Sequence, residues 1–227
     1  GTHGKTTTTS LTAWLLEHGG QAPGLLVGGV PLNLGTSFRL GEGRPFVIEG
    51  DEYDTAYYDK RPKFVHYRPH HGVLTSCEFD HADIYPDFAA VQRAFRLYAS
   101  LFPPQGLLVA WGADERVTAV LDACPGRVLR YGFAGSADTL DVAIELERIE
   151  ARGATFTLRG KACDGETYFS PMPGKHNVLN ATAAIAVALE YLAFRLPEIR
   201  WKEAHPQLAA WHAAVTARTS FQQTAFT

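Results

Sequence analysis

The sequence has few cysteines, little net charge and no long hydrophobic run. Its 227 residues include only Cys77, Cys124 and Cys163, and their number and spacing give neither a disulfide framework nor a zinc site. Lys and Arg number 21 against 24 Asp and Glu, a net charge of −3 that indicates no nucleic-acid or membrane surface. No stretch resembles a signal peptide or a spanning helix. These absences predict a cytoplasmic location, no nucleic-acid partner and no membrane partner.

The chain opens with a pattern typical of phosphate-binding loops. Gly1-Thr-His-Gly-Lys-Thr6 matches the second half of G-x-x-x-x-G-K-[ST], in which backbone N–H groups hold phosphate oxygens, Lys reaches the β/γ-phosphates and Thr ligates Mg²⁺. Apolar residues at helical spacing follow, up to a Gly19-Gly20 stop, so a helix N-terminus would face the anion. A flexible tail ending in a glycine turn is the alternative. The first glycine of the pattern and a strand feeding the loop are expected upstream of Gly1.

The rest of the chain alternates short apolar runs with helical patterns, as a mostly parallel sheet flanked by helices requires. Strands are predicted at residues 25–27, 46–48, 64–67, 73–74, 107–111 and 127–131, and helices at residues 88–102, 115–123 and 174–194. Beyond residue 141, alternation around Gly153 predicts an antiparallel hairpin of residues 142–146 and 155–158, with a third strand at 167–170. The predicted fold class is α/β, a P-loop sheet with a late antiparallel β portion.

Two acidic clusters follow predicted strands. The first, Glu49-Gly-Asp-Glu-Tyr-Asp54, begins where a P-loop enzyme places a Mg²⁺ ligand or a water-orienting carboxylate. Its four acids would repel one another unless a cation or basic partners offset their charge, and an acidic loop in solvent is the alternative. The second, Glu78-Phe-Asp-His81-Ala-Asp83, could hold a second divalent cation through carboxylates and an imidazole, although a lone histidine is more often structural.

Asn177 and Asn180 stand three residues apart in the first turn of the predicted helix 174–194. They therefore share one face of that helix. Amide side chains both donate and accept hydrogen bonds, which suits recognition of an adenine edge or a ribose. Helix capping by asparagine is the alternative interpretation.

Taken in order, the segments GTHGKTTT, EGDEYD, EFDHADIY and PGKHNVLNATAAIAVA resemble the central ATPase domain of the Mur ligases. These are the ATP-dependent amino-acid and peptide ligases of peptidoglycan synthesis. The resemblance covers about residues 1–195. Within the family, the stretch 49–67 with its DKR…KFVHY is similar to the members that join L-alanyl-γ-D-glutamyl-meso-diaminopimelate to UDP-N-acetylmuramate in peptidoglycan recycling. Members that add L-alanine to UDP-N-acetylmuramate are the alternative.

The resemblance implies ATP and Mg²⁺ as cofactors, UDP-N-acetylmuramate and the murein tripeptide as partners, and an acyl phosphate as the intermediate that the peptide amine attacks. No side-chain nucleophile is then needed. The residues predicted to bind the nucleotide are Gly1, Thr2, Gly4, Lys5, Thr6, Thr7, Asn177 and Asn180. The predicted metal ligands are Thr6, Glu49 and His81. The residues predicted to serve catalysis are Lys5, His3, Glu49 and His81, with His3 facing the substrate carboxylate.

The chain also departs from the family pattern. Arg96 stands where several relatives have a carbamylated lysine, and a guanidinium cannot be carbamylated in that way. Residues 1–200 are predicted to form the central ATP-binding domain, starting inside the P-loop, and residues 201–227 an unplaced tail. The family's N-terminal UDP-binding domain and C-terminal ligase domain are expected to be absent. An isolated fragment of this kind is predicted to be inactive, and a nucleotide-binding fragment without turnover is the competing hypothesis.

Overall fold

The structure of the protein is a computed structural model that describes residues 1–80, 82–160 and 163–195. It is a mixed α/β fold, which confirms the predicted class. The α-helices are α1 (Lys5–His18), α2 (Phe88–Ser100), α3 (Glu115–Thr118) and α4 (Lys175–Arg195). The first strands are β1 (Gly24–Leu26), β2 (Phe38–Arg39), β3 (Phe46–Ile48), β4 (Asp54–Ala56) and β5 (Asp59–Pro62). The later strands are β6 (His71–Leu74), β7 (Leu107–Trp111), β8 (Arg127–Phe133), β9 (Val142–Glu150), β10 (Gly153–Gly160) and β11 (Cys163–Ser170).

The largest sheet has six strands in the order β11-β10-β9-β8-β7-β6. Strands β6 to β9 pair in parallel, with registers such as Val73↔Val109 and Val109↔Leu129. Strands β9, β10 and β11 pair antiparallel and are the late antiparallel portion that the alternating pattern predicts. The parallel pairs β6–β7 and β7–β8 are joined through helices α2 and α3, as crossover connections require, whereas the parallel pair β8–β9 is joined by residues 134–141 alone.

Both faces of the parallel part of the six-stranded sheet are covered, so strand β7 is apolar throughout. In β7, Leu107 and Val109 pack in one buried cluster with α4, while Leu108 and Ala110 pack in another with α2 and the segment after α3. This alternation of faces makes a three-layer α/β/α arrangement. Helix α4 carries small residues toward the sheet and also packs against α1. No helix in the described part of the chain is both long and apolar enough to cross a membrane.

A smaller sheet of three strands, in the order β2-β1-β3, lies beside the phosphate-loop helix. β1 and β3 are parallel, and β2 pairs antiparallel with β1. A cavity of about 350 Å³ is lined by residues of both β3 and β6 and by Gly1. Within the described residues, β3 pairs only with β1, and β6 only with β7. Each strand therefore has an unpaired edge next to this cavity.

Two of the predicted elements differ from the structure, and strands β2, β4 and β5 had no predicted counterpart. Residues 64–67 were expected to form a strand, but Lys63–His66 form a 3₁₀ turn that begins after Pro62. This turn buries Phe64 against the rings of Phe95 and Tyr98, so one turn suffices to bury the apolar side chain. The predicted helix 115–123 is also shorter than expected. It ends as an α-helix at Thr118, and a 3₁₀ turn covers Leu121–Ala123.

The two cysteines with described side chains have different environments, which predicts different reactivity. Cys77 is fully buried, and burial raises the pKa of its thiol to about 11. Cys124 is half-buried, and burial raises its pKa as well. Because the thiolate is the reactive form, iodoacetamide at pH 8 is expected to alkylate Cys124 well before Cys77. Peptide mass spectrometry over time would measure both, with a urea-unfolded sample as the control. Equal native rates would contradict the buried placement of Cys77.

Candidate nucleotide-binding site

The loop at Gly1–Gly4 leads directly into α1, and its conformation depends on glycine. Gly4 precedes the first helical residue with φ +79°, a left-handed conformation that other residues adopt only with strain. The first backbone hydrogen bond of the helix runs from the Thr8 N–H to the Gly4 carbonyl. The N–H groups of Lys5, Thr6 and Thr7 therefore have no partner within the helix. A helix terminus of this kind can hold an anion.

The loop is held in place by the segment that follows β6. The Thr2 hydroxyl accepts a hydrogen bond from the Glu78 N–H at 3.0 Å, and the His3 N–H donates to the Ser76 hydroxyl at 3.0 Å. The Thr75 hydroxyl donates to the His3 carbonyl at 2.5 Å. Sequence reasoning missed Thr75 and Ser76 as supports of the loop. Their signal was their position directly after an apolar strand, where side chains of a parallel sheet meet the ligand.

Thr6 and Glu49 meet at the start of the helix. The Thr6 hydroxyl donates to Glu49 Oε1 at 3.0 Å, and the Gly28 N–H donates to Glu49 Oε2 at 2.8 Å. Glu49 directly follows β3 and Gly28 lies just beyond β1, so the carboxyl ends of two neighbouring parallel strands fix this carboxylate. The structure thus brings together Thr6 and Glu49, two of the three predicted metal ligands.

Lys5 turns back toward its own loop. Its ammonium lies 2.9 Å from Glu52 Oε2 and donates a longer hydrogen bond, of 3.4 Å, to the Thr2 carbonyl. The Glu52 side chain is buried, and its backbone carbonyl accepts a hydrogen bond from the Tyr85 hydroxyl. Glu52 was noticed in the sequence only as one member of an acidic cluster, and its contact with Lys5 was not predicted.

The other acids of the first cluster have separate basic partners. Asp51 pairs with Lys63 at 2.7 Å and Asp54 with Lys60 at 2.8 Å. Burial by itself would raise the pKa of Asp51, but hydrogen bonds from Lys63 and from the Tyr53 N–H outweigh it and hold this pKa below its usual value. Three of the four acids therefore have a lysine partner, one each, whereas Glu49 accepts hydrogen bonds from the Thr6 hydroxyl and the Gly28 N–H.

The second acidic cluster lies beside His3. The exposed His3 imidazole is 3.6 Å from Glu78, which also lies 4.0 Å from Arg116, and Asp83 is exposed. His81, predicted as a metal ligand and a catalytic residue, lies outside the described residues. Within the part of the chain that is described, no group of three or more His, Cys, Asp or Glu side chains is arranged to hold a metal ion.

Asn180 lies beneath the loop rather than at an open surface. Its side chain is buried, and its Oδ1 accepts a hydrogen bond of 3.4 Å from the Thr8 hydroxyl. The same oxygen would lie 2.3 Å from a Cβ at Gly4, so α4 touches the loop at its tightest point. Asn177 is half-buried and donates to the Pro173 carbonyl at 2.8 Å. Thr7, also predicted to bind nucleotide, is half-buried in the first turn of α1.

Arg96, noted as a departure from the family pattern, forms a bidentate ion pair with Asp122. Its guanidinium donates to both carboxylate oxygens of Asp122, at 2.6 and 2.7 Å. The contact joins α2 to the 3₁₀ turn that follows α3. The structure therefore gives Arg96 a role in connecting two elements on the same face of the large sheet.

Comparison with known proteins shows which family this chain matches. A family described as Mur ligase middle domain matches residues 1–188. A protein of Escherichia coli (strain K12) named UDP-N-acetylmuramate–L-alanyl-γ-D-glutamyl-meso-2,6-diaminoheptandioate ligase is 51% identical over 191 residues, covering 83% of this chain and 40% of that protein. Its namesake in Haemophilus influenzae is 39% identical over 188 residues, again covering 83% and 40%.

One of the similar solved structures carries a corresponding name. It is the UDP-N-acetylmuramate:L-alanyl-γ-D-glutamyl-meso-diaminopimelate ligase from Neisseria meningitides, at 39% identity and a TM-score of 0.73. The similarity covers 92% of this chain and 64% of that one. The chain thus spans about 40% of the length of its two curated relatives.

Proposed function

The chain belongs to the Mur ligase family through its middle domain, and from this premise we propose that it binds ATP and Mg²⁺ at the amino end of α1. The observation that carries the proposal is the contact of 3.0 Å between the Thr6 hydroxyl and the Glu49 carboxylate. It joins the phosphate-loop helix to the end of β3. Phosphates held at the helix amides and a cation held by these oxygens would then be neighbours.

The residues present fit both groups. The left-handed conformation of Gly4 and its close approach to Asn180 fix the loop, and the amides of the first turn, which have no partner within the helix, are placed to hold phosphate oxygens. Thr6 and Glu49 offer hydroxyl and carboxylate oxygens, the hard ligands that Mg²⁺ prefers. Lys5 provides a positive charge beside the loop. His81 remains a proposed further ligand, and Asn177 and Asn180 remain proposed contacts of the adenosine part.

For the whole protein we propose a ligase that joins L-alanyl-γ-D-glutamyl-meso-diaminopimelate to UDP-N-acetylmuramate. The names of the relatives in E. coli and H. influenzae support this choice. So does the stretch of residues 49–67, which forms the β4–β5 hairpin and the adjoining 3₁₀ turn next to the site. ATP would supply a phosphate leaving group for amide formation.

In this proposal the chain's own residues bind and orient the reacting phosphates. Lys5 and the helix amides offset negative charge on the transferred phosphoryl group. Thr6 and Glu49 fix the cation, with Gly28 holding the second oxygen of Glu49 in place. His3, whose imidazole is exposed at the outer side of the loop, is proposed to face the substrate carboxylate.

Glu49→Gln tests the proposed function. The substitution keeps the shape of the side chain but removes the anionic oxygen, so Mg²⁺ should bind at least about tenfold more weakly, in the range seen when support of a metal ligand is lost. Calorimetric titration with a non-hydrolysable ATP analogue, with Mg²⁺ and with EDTA, would measure this. Affinity is expected to fall in Mg²⁺ and to stay unchanged in EDTA.

Glu42→Gln is the matched control, because Glu42 is an exposed acid outside the site and its substitution makes the same change of charge. If Glu49→Gln and Glu42→Gln changed the Mg²⁺ dependence of nucleotide affinity equally, Glu49 would be an acidic loop residue without a role in binding Mg²⁺. A folded wild-type chain that binds no nucleotide would overturn the proposal for this chain.

A further inference from the structure

Glu52 is the most buried charged group next to the loop. Its side chain is 5% exposed, and neither carboxylate oxygen has a hydrogen-bond partner of acceptable geometry among the described residues. Its neighbours are two nitrogens, the Lys5 ammonium at 2.9 Å and the backbone nitrogen of Gly1 at 3.4 Å. A carboxylate removed from water costs several kcal/mol unless it is paired with a positive charge. Lys5, the nearer of the two nitrogens, therefore makes the larger contribution to its compensation.

The same contact restricts Lys5. An ammonium group has three N–H donors. One of them goes to the Thr2 carbonyl, and the charge of the group lies 2.9 Å from Glu52 Oε2. The lysine side chain is 21% exposed, so solvent reaches it, but Glu52 partly neutralises its charge. A phosphate group arriving at the loop would have to compete with Glu52 for this ammonium.

We propose that Glu52 is a positioning residue that holds Lys5 over the loop and competes with phosphate for its charge. This inference rests on the phosphate-binding role proposed above and adds a residue that controls it. Before a nucleotide binds, Glu52 fixes one conformation of a side chain that would otherwise have considerable rotamer freedom. When phosphate binds, Lys5 exchanges part of its interaction with Glu52 for one with the phosphate oxygens. Glu52 therefore lowers nucleotide affinity while it keeps Lys5 in place.

The Glu52→Gln variant tests this inference because it is expected to increase the affinity for phosphate ligands, whereas most substitutions at a binding site lower it. The amide has nearly the same shape but carries no charge, so phosphate no longer competes with Glu52 for the ammonium. ADP and inorganic pyrophosphate are expected to bind about tenfold more tightly, equivalent to about 1.4 kcal/mol, and the affinity for adenosine should not change. A purely structural role would not produce this gain, because loss of structure weakens binding.

Two further variants separate competition from simple repulsion. Glu52→Asp keeps the charge but withdraws it by one methylene group, so an intermediate gain in affinity is expected. In the Lys5→Met background there is no ammonium to compete for, and Glu52→Gln should bring a clearly smaller gain. Calorimetry would give the affinities, and thermal unfolding would show that each variant is folded.

The outcomes distinguish this inference from the proposed function. Unchanged or weaker binding of ADP and pyrophosphate by a folded Glu52→Gln variant would overturn the inference and leave the nucleotide site intact. A gain that persists in full in the Lys5→Met background would also overturn it, because Glu52 would then act on the phosphates directly. A folded wild-type chain that binds neither probe would overturn the proposed function, and this inference with it.

Discussion

Lys5→Met is expected to weaken the binding of ADP by about 10- to 100-fold, because a hydrogen bond to a charged group contributes about 1.5–3 kcal/mol. Methionine has a similar length and fits the same space but carries no charge. The substitution also leaves Glu52 buried next to the Gly1 nitrogen alone. Loss of one partner of a buried pair can lower the free energy of unfolding by about 3–5 kcal/mol, so binding and stability must be measured separately.

The Lys5→Met/Glu52→Gln double variant provides this separation. Glutamine removes the uncompensated charge, so the double variant should recover most of the stability lost in Lys5→Met. It should recover little of the affinity, because the ammonium is still missing. Calorimetry and chemical unfolding of the two variants would give both quantities. If the folded double variant bound ADP as tightly as the wild-type chain, Lys5 would not contribute to nucleotide binding.

Gly4→Ala is expected to impair both the stability of the chain and its affinity for nucleotides. The residue has φ +79°, where a non-glycine residue costs about 1–3 kcal/mol. The new Cβ would in addition lie 2.3 Å from Asn180 Oδ1, so the loop or α4 must move. Because the amides proposed to bind phosphate follow Gly4 directly, this movement should weaken ADP binding.

Gly20→Ala is the matched control for this prediction. Gly20 has a similar φ of +71°, but an added Cβ there would meet no atom within 4 Å. It should therefore lower stability through backbone strain alone and leave ADP affinity unchanged. In Gly4→Ala/Asn180→Ala the clash is removed, so part of the lost stability should return. Equal effects of Gly4→Ala and Gly20→Ala on ADP affinity would argue against a tight loop at Gly4.

Local patterns account for the parts of the fold that the sequence predicted. Helix α1 begins at Lys5 and ends before Gly19, with Gly20 in the left-handed conformation that terminates helices. The hairpin of β9 and β10 follows from strict alternation on either side of Gly153. The strand predicted at residues 64–67 was wrong, because a single 3₁₀ turn after a proline buries Phe64 as well as a strand would. Short apolar runs leave that choice to the surrounding core.

The residues of the candidate site also divide into those that a local sequence pattern indicated and those that only the structure showed. The glycines, Lys5 and Thr6 could be assigned from the sequence because the loop pattern is contiguous, and Glu49 because an acid follows a short apolar strand. The partner of each acid could not be assigned, since repulsion among neighbouring carboxylates does not indicate which base relieves it. The loop supports Thr75 and Ser76 were missed for a similar reason, because they contact the loop from a different strand.

The sequence by itself determined the glycine loop at Gly4, the helix that follows it and the change from parallel to antiparallel strands, since each of these depends on a local sequence pattern. Only the tertiary structure decided that Glu52 pairs with Lys5 and that Asn180 lies beneath Gly4. The Asn180–Thr8 contact joins residues 172 positions apart. Such contacts depend on how the sheets and helices pack, and packing depends on the whole set of buried side chains rather than on any local pattern.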